Sequence, residues 1–322
     1  MNKYTKPVLV ASKCLGFDHC RYNGAVINDD YVAALKSEVD FITVCPEVEI
    51  GLGVPRNPIR IARQNNNKVL YQPATGKYFT DQIKNYSSKF LNSLDKVDGF
   101  ILKFKSPSCA LYDAKIYSSI DPQSMGEKGS GFFGEAVIEK FPHHPKIDEG
   151  RLKNFTIREN FYINIFCLAE FNKIRLSPRI NDLVNFHTRN KLLFLAKNEK
   201  ITRIMGSIVA NHPQHTADVV FELYQTHLWE IINSLPKFNH WINTMLHAFG
   251  GISKHLNAQE RKYFLDAVEE YRDERIPLSV PLSLLQSWAI RFNLEYLLHQ
   301  TFLKPFPSKL VEISDSGKGR NH

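Results

Sequence analysis

Three short apolar runs, each followed closely by a cysteine, constrain the fold of the first half of this chain more than any other feature. Each run has the length and composition of a buried β-strand. The runs and their cysteines are residues 7–11 with Cys14, residues 41–44 with Cys45, and residues 100–102 with Cys109. The last cysteine closes a Ser-Pro-Ser-Cys sequence, which is typical of a turn. Each thiol is therefore expected just beyond the end of a strand.

The segments between these runs predict helices, so the order of elements is that of a parallel sheet. Residues 80–94 carry one apolar helical face, and residues 31–39 form a shorter helix candidate. The positions on the longer face are Ile83, Tyr86, Phe90, Leu91 and Leu94. Strand, helix and strand in succession imply right-handed crossovers between parallel strands. Because the carboxyl ends of such strands meet at the edge where open α/β sheets bind ligands, the three thiols should converge there.

Three convergent thiols can hold zinc, an iron–sulfur cluster or no metal at all. None of the spacings is Cys-x-x-Cys, so spacing alone identifies no metal. Three protein ligands leave one position open, and open positions are where metals act as Lewis acids. An acid would be needed to move protons, with Glu47 the first candidate and Glu49 the second. Cys20 could replace one of the three thiols, although its position predicts a loop.

The number of cysteines and the hydropathy of the chain also predict its cellular compartment. Five cysteines among 322 residues are too few and too unevenly placed for a disulfide scaffold, which favours a reducing cytoplasm. Lys13 interrupts the N-terminal apolar run before it reaches the length of an export signal. The uncharged segment 276–290 contains Pro277 and Pro281 and is too short to span a bilayer. We therefore expect a soluble, cytoplasmic protein with no membrane partner.

The hydrophobic period changes near residue 142. Seven later segments carry the helical pattern, separated by Pro and Gly. They are residues 152–171, 180–196, 201–210, 215–232, 240–255, 258–271 and 281–298. The predicted fold class is an α/β N-terminal domain with a parallel sheet, residues 1–142, followed by an all-α domain, residues 143–312. Residues 141–150 predict a linker or a domain edge, residues 126–134 a flexible connection or a lid, and residues 313–322 a disordered tail.

The charge distribution indicates a polyanionic partner. The formal net charge is +8 and the isoelectric point is near 9.1. Between residues 151 and 203, eleven Lys and Arg face only four acidic residues, so this segment carries most of the excess. A basic surface of this kind suits a nucleic-acid backbone, whereas a solvated helix face is the alternative interpretation.

Several short motifs resemble a known family. In the first half they are Ser12-x-Cys14-Leu15-Gly16, Cys20-Arg21-Tyr22-Asn23-Gly24, Cys45-Pro46-Glu47-Val48, Gly51-Leu52 with Pro55-Arg56, and Leu102-Lys103 with Ser106-Pro107-Ser108-Cys109. These resemble the thiouracil desulfidase family. In the second half, Phe186-His187-Thr188-Arg189 with Lys191, Glu260-Arg261 and Pro305-Phe306-Pro307 resemble the domain of unknown function of YbgA-like proteins. The fused pair looks like the enzymes that remove sulfur from 4-thiouridine in tRNA.

The resemblance implies a cofactor and catalytic groups. It implies a [4Fe-4S] cluster held by Cys14, Cys45 and Cys109, with one iron open to the substrate sulfur, and an assisting acid at Glu47. Ser106 and Ser108 are candidates for a catalytic serine, with capping of the turn as their alternative role. The implied reaction is a non-redox hydrolysis in which water replaces sulfur on the base and sulfide leaves. The chain departs from the family pattern at Ala110, where Gly is usual, and at Phe104, where free-standing members tend to have Ser.

The resemblance also implies a tRNA carrying thiolated uridine as the partner. The basic helical half would contact the phosphate backbone, with Arg151, His187, Arg189 and Lys191 as the candidate contacts. The target base would have to reach the cluster pocket, as in other base-modifying enzymes. Two alternatives stay open from the sequence. One is a desulfidase of free thiouracil or thiouridine nucleotides, and the other is a non-enzymatic RNA-binding protein with a structural metal.

Overall fold

The structure is a computed structural model that describes residues 4–121, 123–211, 215–235 and 237–311. The strands in these residues are β1 (Val8–Ser12), β2 (Asp40–Val44), β3 (Arg60–Gln64), β4 (Asn67–Gln72), β5 (Lys77–Tyr78), β6 (Gly99–Leu102), β7 (Ala114–Tyr117), β8 (Gly126–Gly129) and β9 (Lys146–Asp148). The α-helices are α1 (Asp30–Leu35), α2 (Pro46–Glu49), α3 (Thr80–Asn92), α4 (Phe132–Lys140), α5 (Glu149–Leu152), α6 (Phe155–Arg175), α7 (Ile180–Lys197), α8 (Glu199–Ala210), α9 (Ala217–Asn233), α10 (Phe238–Ile252), α11 (Ala258–Arg272), α12 (Ser279–Arg291) and α13 (Glu295–Leu298). The predicted fold class is confirmed. The predicted tail, residues 313–322, lies outside the described residues.

The first sheet is parallel and has the order β2-β1-β6-β9. Val10 of β1 lies opposite Ile42 of β2 on one side and Phe100 of β6 on the other. The three runs that precede cysteines are therefore adjacent strands, as predicted. The middle of β1 is fully buried, which explains why it is a continuous apolar run with no polar alternation.

A second, mixed sheet was not predicted. Its order is β5-β4-β3-β7-β8, and β3 pairs with β7 in parallel while the other pairs are antiparallel. The predicted loop at residues 126–134 is wrong, since residues 126–129 form β8 and α4 begins at Phe132. The glycines that suggested a loop have a packing reason. A Cβ added at Gly129 would lie 2.4 Å from Cδ1 of Ile116.

The chain divides into two compact units. Among the described residues, the first comprises Lys6–Ala169 with residues 309–311, and the second comprises Glu170–Ser308 with residues 4–5. Residue 142, the predicted boundary, lies inside the first unit. The linker predicted at residues 141–150 is wrong, because β9 in this segment pairs with β6 and completes the parallel sheet.

Two apolar clusters hold the ends of the strands in place. One packs Val10, Phe100 and Cys109 with Phe133 of α4, and the other packs Ala110 with residues of the second sheet. In the segment after β6, Cys109 therefore packs in the first cluster and the next residue, Ala110, packs in the second. The methyl group of Ala110, where the resemblance implies Gly, is fully buried in the second cluster.

The second unit is helical, as predicted. Its centre is aromatic. The Phe171 ring contacts those of Phe186, Phe221 and Tyr224, and the Phe186 ring also contacts Tyr224. The predicted helix at residues 281–298 is two helices, α12 and α13, separated by a turn at Asn293 with a positive φ of 50°. Among the described residues, no helix combines the length and the apolar character that crossing a membrane requires.

Candidate functional site

A cavity of about 380 Å³ lies at the carboxyl ends of β1, β2 and β6. Four of the five cysteines line it, namely Cys14, Cys20, Cys45 and Cys109. Its volume falls within the range of about 300–1,000 Å³ that is usual for ligand pockets. The three cysteines chosen from the sequence are therefore brought together with a fourth that was left in a loop.

Each thiol reaches the cavity through local backbone structure that its sequence explains. Cys14 lies in the turn after β1, in which the Leu15 amide donates to the Ser12 carbonyl at 2.9 Å. Cys45 follows β2 directly and is the N-cap residue of α2, where Pro46 occupies the first helical position. The strand ends thus fix the backbone at both cysteines.

Ser106 shapes the turn that carries Cys109. Its Oγ accepts hydrogen bonds from the amides of Ser108, at 3.2 Å, and Cys109, at 3.1 Å. The start of α4 holds the same turn from outside, since the Phe133 amide donates to the Ser108 carbonyl at 2.9 Å. Ser106 therefore has the turn-capping role that the sequence offered as its alternative.

Hydrogen bonds between sulfur atoms and burial favour the protonated thiols in the protein without a metal. A hydrogen bond with Cys14 is the largest cause that raises the pKa of Cys20, to about 11. A hydrogen bond with Cys20, together with burial, raises the pKa of Cys45, and burial raises that of Cys109. Metal binding at these sulfurs would therefore release protons.

Cys20 is the site residue that sequence reasoning undervalued. It is 3% exposed, and its carbonyl accepts from the Cys45 thiol at 3.8 Å. Only the Cys-Arg-Tyr-Asn-Gly motif pointed to it, because residues 18–24 lie between strand and helix and carry no periodic signal. Its place in the cavity depends on tertiary contacts.

Glu47 lies in α2 beside the cavity, and both of its carboxylate oxygens accept hydrogen bonds. Oε2 accepts from Nε and Nη2 of Arg56, at 2.9 and 2.7 Å, and Oε1 accepts from Oγ of Ser108 at 2.9 Å. The side chains of Arg56 and Glu47 are only 4% and 13% exposed. Glu49, the second candidate acid, is exposed. Ser108 thus contacts the candidate acid directly, and Arg56 is a partner that the sequence did not predict.

A buried ion pair fixes the backbone after β6. Lys103, which lines the cavity, pairs with Glu149, and the Phe104 amide donates to Oε2 of the same carboxylate at 2.7 Å. Glu149 itself is buried. The chain that leads from β6 to Cys109 is therefore anchored at its beginning by Glu149.

The candidate RNA contacts lie in different settings. Arg151 is exposed in α5 of the first unit. In the second unit, Lys191 is exposed on α7, and Arg189 is exposed but pairs with Glu170 at 2.5 Å. His187 is buried and bonded through Nδ1 to the Tyr224 hydroxyl at 3.1 Å. The direct RNA contact predicted for His187 is therefore not supported, since its ring packs in the core of the helical unit.

Cysteine thiols are donors of the kind that iron–sulfur clusters use. Within the part of the chain that the structure describes, no three His, Cys, Asp or Glu side chains are grouped so that they could hold one metal ion. A cluster can use more widely spaced thiolates, because each binds a different iron. Thiolates are the usual protein ligands of such clusters, and here they line one cavity that is large enough for a polyatomic group.

Fold and site together define an α/β protein with a cysteine-lined ligand site at the carboxyl edge of a parallel sheet. The family model described as 2-thiouracil desulfurase matches residues 9–149, and a model described as Protein of unknown function (DUF1722) matches residues 191–307. The uncharacterized protein YbbK of Bacillus subtilis (strain 168) is 30% identical over 154 residues, which are 46% of this chain and 99% of YbbK. The chain therefore belongs to the 2-thiouracil desulfurase family.

Two further proteins are similar to parts of the chain. The uncharacterized protein YbgA of Escherichia coli (strain K12) is 24% identical over 157 residues, which are 48% of this chain and 92% of YbgA. Among solved structures, the [4Fe-4S]-dependent thiouracil desulfidase TudS is 25% identical, with a TM-score of 0.36 over 46% of this chain and 94% of TudS.

Proposed function

We propose that this protein removes sulfur from a thiolated uridine in tRNA, converting 4-thiouridine to uridine and releasing sulfide. The proposed cofactor is a [4Fe-4S] cluster bound by Cys14, Cys45 and Cys109, with one iron left open. The proposal includes a cytoplasmic location, which rests on the cysteine usage alone.

One observation carries the proposal. Thiols from the ends of three adjacent strands line a single cavity together with Glu47, in a chain that belongs to the 2-thiouracil desulfurase family. A cysteine site that served only to stabilise the fold would not require a carboxylate beside it. The combination of thiols and an acid suits a reaction that needs both a soft metal centre and a proton acceptor.

The chain's own residues supply the proton chemistry. A bound cluster would supply an open iron that acts as a Lewis acid toward the thiocarbonyl sulfur. Glu47 is the general base that takes a proton from the attacking water, and Ser108 holds its carboxylate. In the reaction, the oxygen of one water replaces the sulfur on the uracil ring, and the sulfur leaves as sulfide. The oxidation state of the nucleobase does not change, so no electron donor is required.

The basic surface favours tRNA, rather than a free base or nucleotide, as the substrate. The charge excess lies in residues 151–203, which include the end of the first unit and the start of the second. Arg151 of the first unit and Arg189 and Lys191 of the second are exposed in this segment. Contacts of Lys and Arg with phosphates supply much of the affinity of a protein for nucleic acids. The target nucleoside would be taken out of its stack to reach the cavity.

Anaerobic reconstitution followed by nucleoside analysis tests the proposal. The reconstituted protein should bind about four irons and four sulfides per chain, and tRNA incubated with it should lose 4-thiouridine and gain uridine. Glu47→Gln should keep the iron and lower turnover by a factor of about 10²–10⁴ without abolishing it, which separates an enzyme from an RNA-binding protein with a structural metal. A wild-type protein that binds the cluster and releases no sulfide from any thiolated pyrimidine would overturn the proposal.

A second candidate is the desulfuration of free thiouracil or of thiouridine nucleotides, and the description of the family favours it. Parallel assays with thiolated tRNA, 4-thiouridine monophosphate and 2-thiouracil decide between the two. A value of kcat/KM that is highest for tRNA supports the tRNA reaction. A value that is highest for the free base replaces it with the second candidate.

A further inference from the structure

Arg56 makes more hydrogen bonds than an ion pair with Glu47 requires. Besides the two bonds to Oε2 of Glu47, its Nη1 donates to the carbonyls of Cys20 and Gly53, each at 2.9 Å. Its backbone amide donates to the Tyr22 carbonyl at 2.8 Å. The side chain is only 4% exposed, and the four hydrogen bonds of the guanidinium hold it from two sides.

The hydrogen bonds around Glu47 leave one of its two oxygens available. A carboxylate has about four acceptor positions, two on each oxygen. Arg56 fills both positions on Oε2, and Ser108 fills one on Oε1. The remaining position is on Oε1, so a water that gives up a proton to Glu47 meets this oxygen.

We propose that Arg56 is a positioning residue for the general base, an inference that rests on the proposed function. By holding Oε2 with two nitrogens, Arg56 fixes the rotation of the carboxylate and leaves Oε1 to receive the proton of the attacking water. Although Arg56 lines the cavity, its role in this inference is to act through Glu47, whose Oε2 it holds.

Arginine is suited to this task and lysine is not. The planar guanidinium places two N–H groups on one carboxylate oxygen while a third nitrogen reaches the two carbonyls. A lysine ammonium is a point charge on a flexible stem, so it would keep the charge and lose the orientation.

The contact with the Cys20 carbonyl offers a competing role, in which Arg56 shapes the thiol site. The two roles predict different effects of replacing Arg56. Loss of the thiol geometry lowers the iron bound per chain, whereas loss of base positioning lowers kcat at normal iron content.

A double-mutant cycle on the full-length, reconstituted protein tests the inference. The variants are Glu47→Gln, Arg56→Gln and the double variant, each measured for iron and sulfide content, kcat and KM. Arg56→Gln should lower kcat by about 100-fold, within the range that a general base supplies, with little change in KM and with normal iron content. In the double variant, the loss should be no larger than for Glu47→Gln alone, because Arg56 acts through Glu47.

Two further variants keep the test valid if Arg56→Gln folds poorly. Arg56→Lys should be intermediate in kcat, and methylguanidinium should restore turnover to Arg56→Ala but not to the same variant combined with Glu47→Gln. The matched control is Arg63→Gln, since Arg63 donates from Nε and Nη2 to one oxygen of Glu127 and neither residue lines the thiol cavity. This control should match the wild type in kcat and iron content.

The outcomes separate the inference from the proposed function. Additive losses in the double variant, or a loss of iron in Arg56→Gln, would overturn the positioning role while the wild type remains active. A wild-type protein without desulfidase activity would overturn the proposed function, and the positioning role with it.

Discussion

At the residue scale, the cavity contains one thiol more than the proposed cluster requires. Cys14, Cys45 and Cys109 follow strands, which made them predictable from the sequence, whereas Cys20 and Arg56 come from loops. Loop residues carry no hydrophobic period, and their contacts arise only when distant segments meet. The sequence therefore indicated the strand-end thiols and Glu47, and offered Cys20 only as a replacement for one of the three thiols. It did not indicate that all four thiols line one cavity or that Arg56 is the partner of the acid.

Replacing Cys14 and Cys20 separately tests the assignment of the cluster ligands. We expect Cys14→Ser to lose most of the reconstituted iron, because a strand-end ligand is removed, and Cys20→Ser to retain it. The measurement is iron and sulfide per chain after anaerobic reconstitution, with visible absorbance as a second readout. The reverse result would move the third ligand from Cys14 to Cys20.

His187 should make the stability of the helical unit sensitive to acid. Burial, with a smaller contribution from the charge of Lys191, lowers its pKa from 6.5 to about 4. The unfolded chain therefore takes up a proton at a higher pH than the folded protein does. The contribution of the neutral His187 ring to the free energy of unfolding is fully present above pH 6.5. It is lost as the pH falls toward 4, which lowers the stability by about 3 kcal/mol.

The variant His187→Gln isolates this contribution. Glutamine does not titrate, so the difference in unfolding free energy between the wild type and the variant should shrink as the pH falls from 7 to 4. Denaturant unfolding at several pH values measures it. A difference that stays constant over this range would show that the ring is not the group responsible.

At the element scale, the strands of the parallel sheet were predictable and those of the mixed sheet were not. Strands β1, β2 and β6 are apolar runs, and α3 has a clear helical face. Strand β8 is Gly-Glu-Lys-Gly, in which glycine is required because neighbouring side chains approach closely, and the same glycines suggest a loop in the sequence. The pairing of β3 with β7 joins residues 61 and 116, a distance along the chain over which local patterns carry no information.

The contact between α4 and the Cys109 turn predicts the effect of a small substitution. A Cβ at Gly134 would lie 2.1 Å from the Ala110 carbonyl oxygen and 2.9 Å from that of Cys109. We expect Gly134→Ala to destabilise the first unit by about 2 kcal/mol or more and to lower its iron content, since the turn must move. Thermal unfolding and iron analysis measure the two effects.

Gly250→Ala is the contrasting substitution. Gly250 lies within α10, and nothing lies within 4 Å of a Cβ placed there. Alanine should therefore stabilise the second unit by about 0.5–1 kcal/mol through its helix propensity. Equal effects of the two substitutions would contradict the packing argument.

At the scale of the whole molecule, the net charge of +8 should govern encounters with RNA. We expect the affinity for tRNA to fall steeply as salt is raised, because each phosphate contact releases counterions. Lys191→Ala should reduce the slope of log K against log salt by about one unit, whereas Lys262→Ala, an exposed lysine of α11, should leave it unchanged. Filter binding or fluorescence anisotropy at several salt concentrations provides the slopes, and equal slopes for both variants would remove Lys191 from the RNA surface.

The strand order β2-β1-β6-β9 also limits when the cofactor could be inserted. The proposed ligands at positions 14, 45 and 109 become neighbours only when β6 has joined the earlier strands. A ribosome must therefore have released well over a hundred residues before a complete ligand set exists. With this proposed ligand set, we expect iron and sulfide to be delivered only after β1, β2 and β6 have formed the sheet.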